Sequence, residues 1–212
     1  GLHVRPHHAM EAIATAVSGS VDEGSVGGGV AMGAFGWKAG IGTSSRVVEI
    51  GAEQATVGVL VQSNFGGTLT VDGVRMPDLA ADVSGADEPA GASIMIIFAT
   101  DIPLCGAHLD RVARRATFGL ARSGGSGGHG SGDYVIGFST TWRQAAQKQG
   151  MRRALQETEA RIDVPFVAIA EATEEAILNS LFMATTVTGR DGHQRRAVPL
   201  SQVLERWRAA RH

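Results

Sequence analysis

Ser93-Ile94-Met95-Ile96-Ile97-Phe98-Ala99-Thr100 is the most apolar run in the chain, and it follows Ser84-Gly85-Ala86-Asp87-Glu88-Pro89-Ala90-Gly91-Ala92, a stretch of small and turn-forming residues. A short apolar run bounded by Pro and Gly predicts a buried strand. A hydroxyl at the first position of such a strand, with a pliable segment before it, is where a chain could cut itself and expose a new α-amine beside its own nucleophile. The plainer reading is that Ser93 merely begins a core strand.

Outward from this strand, runs rich in Val, Ile, Thr and aromatic residues predict further strands at Ala39–Thr43, Arg46–Ile50, Thr56–Gln62, Thr68–Val71 and Tyr134–Thr140. Leu109, Val112, Ala116 and Leu120 recur at helical spacing within His108–Arg122, as do Ile169, Thr173, Ala176, Ile177 and Leu181 within Val167–Ala184. Shorter helices are expected at His7–Val17 and Gln194–Arg211. Strand groups followed by helix groups, without regular alternation, predict an α/β fold of layered sheets with helices outside.

Composition narrows the function classes. With 212 residues, 43% of them hydrophobic, the chain can bury a sizeable core as one domain or a compact pair. A net charge of -2 offers no basic stripe for a phosphate backbone, so no nucleic acid partner is expected. No apolar run approaches the roughly 18 residues that cross a bilayer, so no membrane partner is expected either. Cys105 is the only cysteine, which excludes an internal disulfide and reads as a small buried side chain. The seven histidines do not support a metal site: His7 and His8 are adjacent and so face different directions on a helix, with no acidic residue completing a ligand pattern, and neither a metal nor a cofactor is expected. Arg111, Arg114 and Arg115 read as the solvated face of their helix. Glycine is clustered in two runs: Gly24–Gly36, which suits strands or bends approached closely by other backbone, and Ser123–Gly132, which must be a loop.

Taken together, Gly1–Pro6, Glu23–Gly29, Gly40–Arg46, Val57–Gly66 (VGVLVQSNFG), Ser93–Leu104, Gly119–Arg122, Gly130–Asp133, Phe138–Thr140, Glu171–Asn179 and Thr188–Gly192 resemble the DmpA-type aminopeptidases, which include the L-aminopeptidase/D-esterases and the β-peptidyl aminopeptidases. The resemblance runs through almost the whole chain in order. It implies an αββα sandwich of the N-terminal-nucleophile type, made as a precursor that cuts itself before a serine. That serine maps onto Ser93, so the scissile bond would be Ala92–Ser93, dividing one peptidase domain (1–212) into 1–92 and 93–212. The family usually carries Gly or Asn where this chain has Ala92. It also has a substantial segment before the position of Gly1, so the chain is expected to be an N-terminally truncated fragment. A homo-oligomer of processed heterodimers is implied, acting on peptides or on amino-acid amides or esters. The expected location is the cytoplasm, with the periplasm left open because the true N terminus is absent.

The residues fit the chemistry that the resemblance implies. A free α-amine has a pKa of about 7.7–8.0, so it can take the hydroxyl proton near neutral pH. Asn64 matches the family's oxyanion-hole asparagine; otherwise it is a turn residue before Gly66-Gly67. Ser131 and Asp133 match the family's serine and acidic pair, with Ser131 expected to bond the nucleophile or its amine. Asp133 would orient Ser131 or hold the substrate ammonium; without the resemblance the pair simply closes a turn. Two alternatives stand beside this reading. One is a ligand-binding module in which Gly24–Gly33 cradles a phosphate; the other is an inactive or acyltransferase relative on the same fold.

Overall fold

The computed structural model describes residues 3–80, 93–141 and 161–211. Helix α1 (Pro6–Ala14) is followed by a 3₁₀ turn (Gly27–Ala31) and a hairpin of β1 (Gly33–Ala34) and β2 (Trp37–Lys38). Two long strands, β3 (Ile41–Ile50) and β4 (Glu53–Asn64), precede a small ribbon of β5 (Thr70–Val71) and β6 (Val74–Arg75). Strand β7 (Ser93–Thr100), helix α2 (Gly106–Arg122), strand β8 (Tyr134–Ser139) and helix α3 (Asp163–Phe182) come next. A ribbon of β9 (Val187–Thr188) and β10 (Gln194–Arg195) and helix α4 (Leu200–Ala209) complete the order.

The main sheet runs β3-β4-β7-β8, antiparallel except for the parallel pair β7/β8. Parallel neighbours need a crossover, and α2 supplies it. Alternation decides which face is covered. Val57, Val59 and Val61 on β4 and Ile94, Ile96 and Phe98 on β7 are all buried, on the face that meets the helical layer. Each such side chain stabilises the fold by roughly 1.5–3 kcal/mol. Helix α3 packs against α2 on one side and β3 and β4 on the other, which is why Ala168, Ile169, Ala172, Ala176 and Ile177 are all buried. Gly42 permits that approach: a Cβ there would lie 1.9 Å from the Ala176 carbonyl oxygen.

On the opposite face Ile97, Tyr134, Ile136 and Phe138 are exposed. The described residues therefore supply one helical layer and one sheet of the αββα order, in an α/β fold. Among them, no helix is long and apolar enough to cross a membrane.

Several local expectations change. The two strands expected at Ala39–Thr43 and Arg46–Ile50 are one, because Ser44 and Arg46 reach Glu175 on α3 rather than breaking the ladder. The C-terminal helix starts only at Leu200, since Gln194 and Arg195 pair with β9. Strand β5 is shorter than expected, as the Thr68 N–H bonds the Gly124 carbonyl instead. Arg114 is exposed as expected, whereas Arg111 and Arg115 are only half-exposed, their guanidinium groups 5.2 and 4.0 Å from the centre of the Phe166 ring. Cys105 is half-buried, its Sγ 3.4 Å from Nδ1 of His108.

Candidate active site

Strand β4 ends at Asn64 and β7 begins at Ser93, and the antiparallel register sets these two residues directly opposite each other. That register is strongly specified, because a slip of one residue would turn Ile94, Ile96 and Phe98 out of the core. Ser93 and Asn64 share the face that points away from the helices, and both are half-buried.

Strand β8 brings the third component. The parallel pairing Met95↔Tyr134, continued two residues back, sets Gly132 beside Ser93. The Gly132 N–H donates to Ser93 Oγ at 3.0 Å. On either side of that glycine, Ser131 Oγ donates to Asp133 Oδ1 at 2.7 Å, with Ser131 half-buried and Asp133 exposed. The structure thus brings Ser93, Asn64, Ser131 and Asp133 to one end of the sheet. The contact expected of Ser131 differs: the donor on Ser93 Oγ is the backbone of Gly132, while the Ser131 hydroxyl is turned to Asp133. Ala92 and the stretch before it lie outside the described residues.

Asn64 is held from behind. Its Oδ1 accepts the Gly33 N–H at 3.2 Å, which fixes the amide orientation and leaves the two Nδ2 hydrogens as donors. Gly33 opens the β1–β2 hairpin, whose turn residues Phe35 and Gly36 have φ of 53° and 82°. Two consecutive positive φ values make a two-residue turn of the I′ type. A phenylalanine in that conformation is strained, and burial offsets the strain: Phe35 is 3% exposed and meets the Phe65 ring edge-on at 5.0 Å. Its N–H also bonds the Phe65 carbonyl at 3.0 Å, so the hairpin is fastened to the end of β4 at two successive residues.

Lys38, on β2, is 1% exposed. Its Nζ donates to the carbonyls of Gly29 at 2.7 Å, Met32 at 2.8 Å and Ala39. Burial, with the like charge of Arg195 nearby, lowers its pKa from 10.5 to about 8.

Gly33, Gly132 and Lys38 escaped sequence reasoning. Two of them act through backbone N–H groups, which carry no side-chain signature. Lys38 left one trace: it is the single charge between Glu23 and Arg46. The phosphate-cradle alternative needs a glycine loop that opens a helix. Here Gly27–Ala31 is a five-residue 3₁₀ turn leading into β1, with the carbonyls of Gly29 and Met32 turned to Lys38.

This arrangement has relatives. The model for peptidase family S58 matches residues 1–195. The chain belongs to peptidase family S58. Two curated S58 relatives are β-peptidyl aminopeptidases BapA, from Sphingosinicella microcystinivorans (41% identical, 98% of this chain, 58% of the relative) and from Sphingosinicella xenopeptidilytica (36%, 92% and 53%). Among solved structures, the PH0078 protein of Pyrococcus horikoshii OT3 superposes with a TM-score of 0.84 at 43% identity, over 98% of this chain and 58% of that one. A β-aminopeptidase from a Burkholderia species gives 0.80 at 35%, over 98% and 59%. The L-aminopeptidase D-Ala-esterase/amidase of Ochrobactrum anthropi, described as a variant of the Ntn hydrolase fold, gives 0.78 at 32%, over 95% and 56%. This S58 chain spans a little over half the length of those relatives.

Proposed function

We propose that this chain is the nucleophile-bearing part of a self-processing serine aminopeptidase, which removes N-terminal residues from short peptides, amides or esters through an acyl-enzyme on Ser93. The observation that carries the reading is the pairing of Ser93 with Asn64 across β7 and β4, with the Asn64 carbonyl already engaged by Gly33. The names of the S58 relatives agree with it.

In the precursor, Ser93 Oγ attacks the Ala92 carbonyl carbon, and the hydroxyl proton passes to the departing Ser93 nitrogen. The C–N bond breaks, leaving Ala92 esterified to Oγ. Water then adds to that ester and releases the Ala92 carboxylate and the free hydroxyl. The new α-amine serves as the base in later turnovers, so nucleophile and base occupy one residue. The Gly132 N–H stabilises Oγ as its proton leaves, and Asn64 Nδ2 donates to the oxyanion of the tetrahedral intermediate. Asp133, exposed at the rim, suits the ammonium group of an aminopeptidase substrate, with Ser131 as its hydroxyl neighbour. The assembly we propose is a homo-oligomer of processed heterodimers.

Intact-mass measurement and N-terminal sequencing of the full-length protein test this directly. Wild type should yield a chain beginning at Ser93 and hydrolyse an aminoacyl p-nitroanilide. Ser93→Ala should give one uncut chain without activity. The same band pattern for both would overturn self-processing, and undiminished hydrolysis by Ser93→Ala would overturn the nucleophile.

A further inference from the structure

We infer that Lys38 is a positioning residue for the Asn64 amide, acting through the Met32–Gly33 peptide group. This rests on the reading of Asn64 as the oxyanion donor and extends it one layer inward.

The carbonyl of Met32 and the N–H of Gly33 belong to one planar peptide unit and point in opposite directions. Lys38 Nζ holds the carbonyl end at 2.8 Å, and Asn64 Oδ1 receives the N–H end at 3.2 Å. A cation on a carbonyl draws electron density from the amide nitrogen and makes its N–H a stronger donor. The same step repeats in Asn64, where a stronger donor on Oδ1 makes Nδ2–H a stronger donor in turn. Ammonium, peptide and side-chain amide thus form one polarised chain that ends where negative charge would develop.

Geometry is held along with polarity. The two further Lys38 contacts, to Gly29 and Ala39, tie the 3₁₀ turn and the far strand of the hairpin to the same nitrogen. Three carbonyls match the three donors of an ammonium, a set no other side chain supplies from so compact a head. The placement is expensive, since the group is almost fully buried and has Arg195 as its charged neighbour. An apolar residue in this position would avoid that cost and leave three inward-facing carbonyls without this donor.

The test uses the full-length protein. Lys38→Met is expected to lower both the self-cleavage rate and kcat for an aminoacyl p-nitroanilide by about tenfold while moving KM less than twofold. Lys38→Gln, which keeps a neutral donor and is the milder change should Lys38→Met not fold, is expected to fall between. In an Asn64→Ala background, the Lys38 substitution should cost no further rate, because its route to the reaction is already gone. An unchanged kcat in Lys38→Gln, a loss confined to KM, or a loss that multiplies with that of Asn64→Ala would overturn the role of Lys38. If Asn64→Ala alone keeps kcat, the oxyanion reading itself fails, whatever the Lys38 variants do.

Discussion

Asn64 and Gly132 face Ser93 from opposite flanks of β7, yet their supports have little in common. Behind Asn64 stand the Gly33 N–H, the Phe35–Phe65 contact and the buried Lys38, all drawn from a hairpin folded onto the end of β4. Gly132 belongs to a glycine-rich loop whose side chains Ser131 and Asp133 bond each other near the surface. On the proposed reaction, the difference follows from what each flank would have to do. A donor awaiting charge that exists only in the transition state is most effective when it is already fixed. A rim that admits and releases a substrate has to stay open to water.

Substitutions on the two flanks should differ widely in what they cost. Asn64→Ala should lower kcat by about 10²–10³, as removal of an oxyanion donor does elsewhere, with KM nearly unchanged; a loss below tenfold would mean the braced flank is structural only. Next comes backbone packing on the same flank: a Cβ on Gly40 would lie 1.8 Å from the Gly24 carbonyl oxygen. Gly40→Ala should therefore cost about 3 kcal/mol in urea unfolding. In the opposite loop Gly128 has open space around its Cβ position, so Gly128→Ala should stay within about 0.5 kcal/mol. Equal costs at the two glycines would erase the distinction between the flanks.

A smaller effect belongs to the rim. Asp133→Asn should raise KM for an aminoacyl substrate with a free ammonium by about tenfold, near 1.4 kcal/mol, and leave kcat within a few-fold. Blocking the substrate amine should remove the difference between variant and wild type. The smallest effect lies outside both flanks. The Glu175 carboxyl is held below its ordinary 4.5 by the Ser44 hydroxyl and then by Arg46. Its folded-state pKa being depressed, the stability it supplies is complete above about pH 4.5 and is lost as pH falls through the folded value. Thermal unfolding of Glu175→Gln should show a weaker dependence on pH in that range than wild type.

The sequence made one flank of the site far more legible than the other. Ser93 could be found because a long apolar strand announces itself and its first residue is a hydroxyl. Asn64 and the Ser131–Asp133 pair could be placed through ordered blocks of family-like residues. The hairpin behind Asn64 could not, since Gly33 and Asn64 are 31 positions apart and Gly33 contributes only backbone. Nor does the periodicity of a glycine-rich run distinguish a 3₁₀ turn and an I′ hairpin from a plain bend. Arg115 misled for a related reason: helical spacing says which face a residue takes, and only the neighbouring helix says that Phe166 lies under it.

One consequence follows from β7 being an inner strand, flanked by β4 on one edge and β8 on the other. A nick just ahead of Ser93 would sever the backbone without removing a rung from either ladder. The two polypeptides would elute as one particle from a native column and part company only in denaturant. Scission at this point would therefore leave the pairing of β7 as it is, with an amine where an amide used to be.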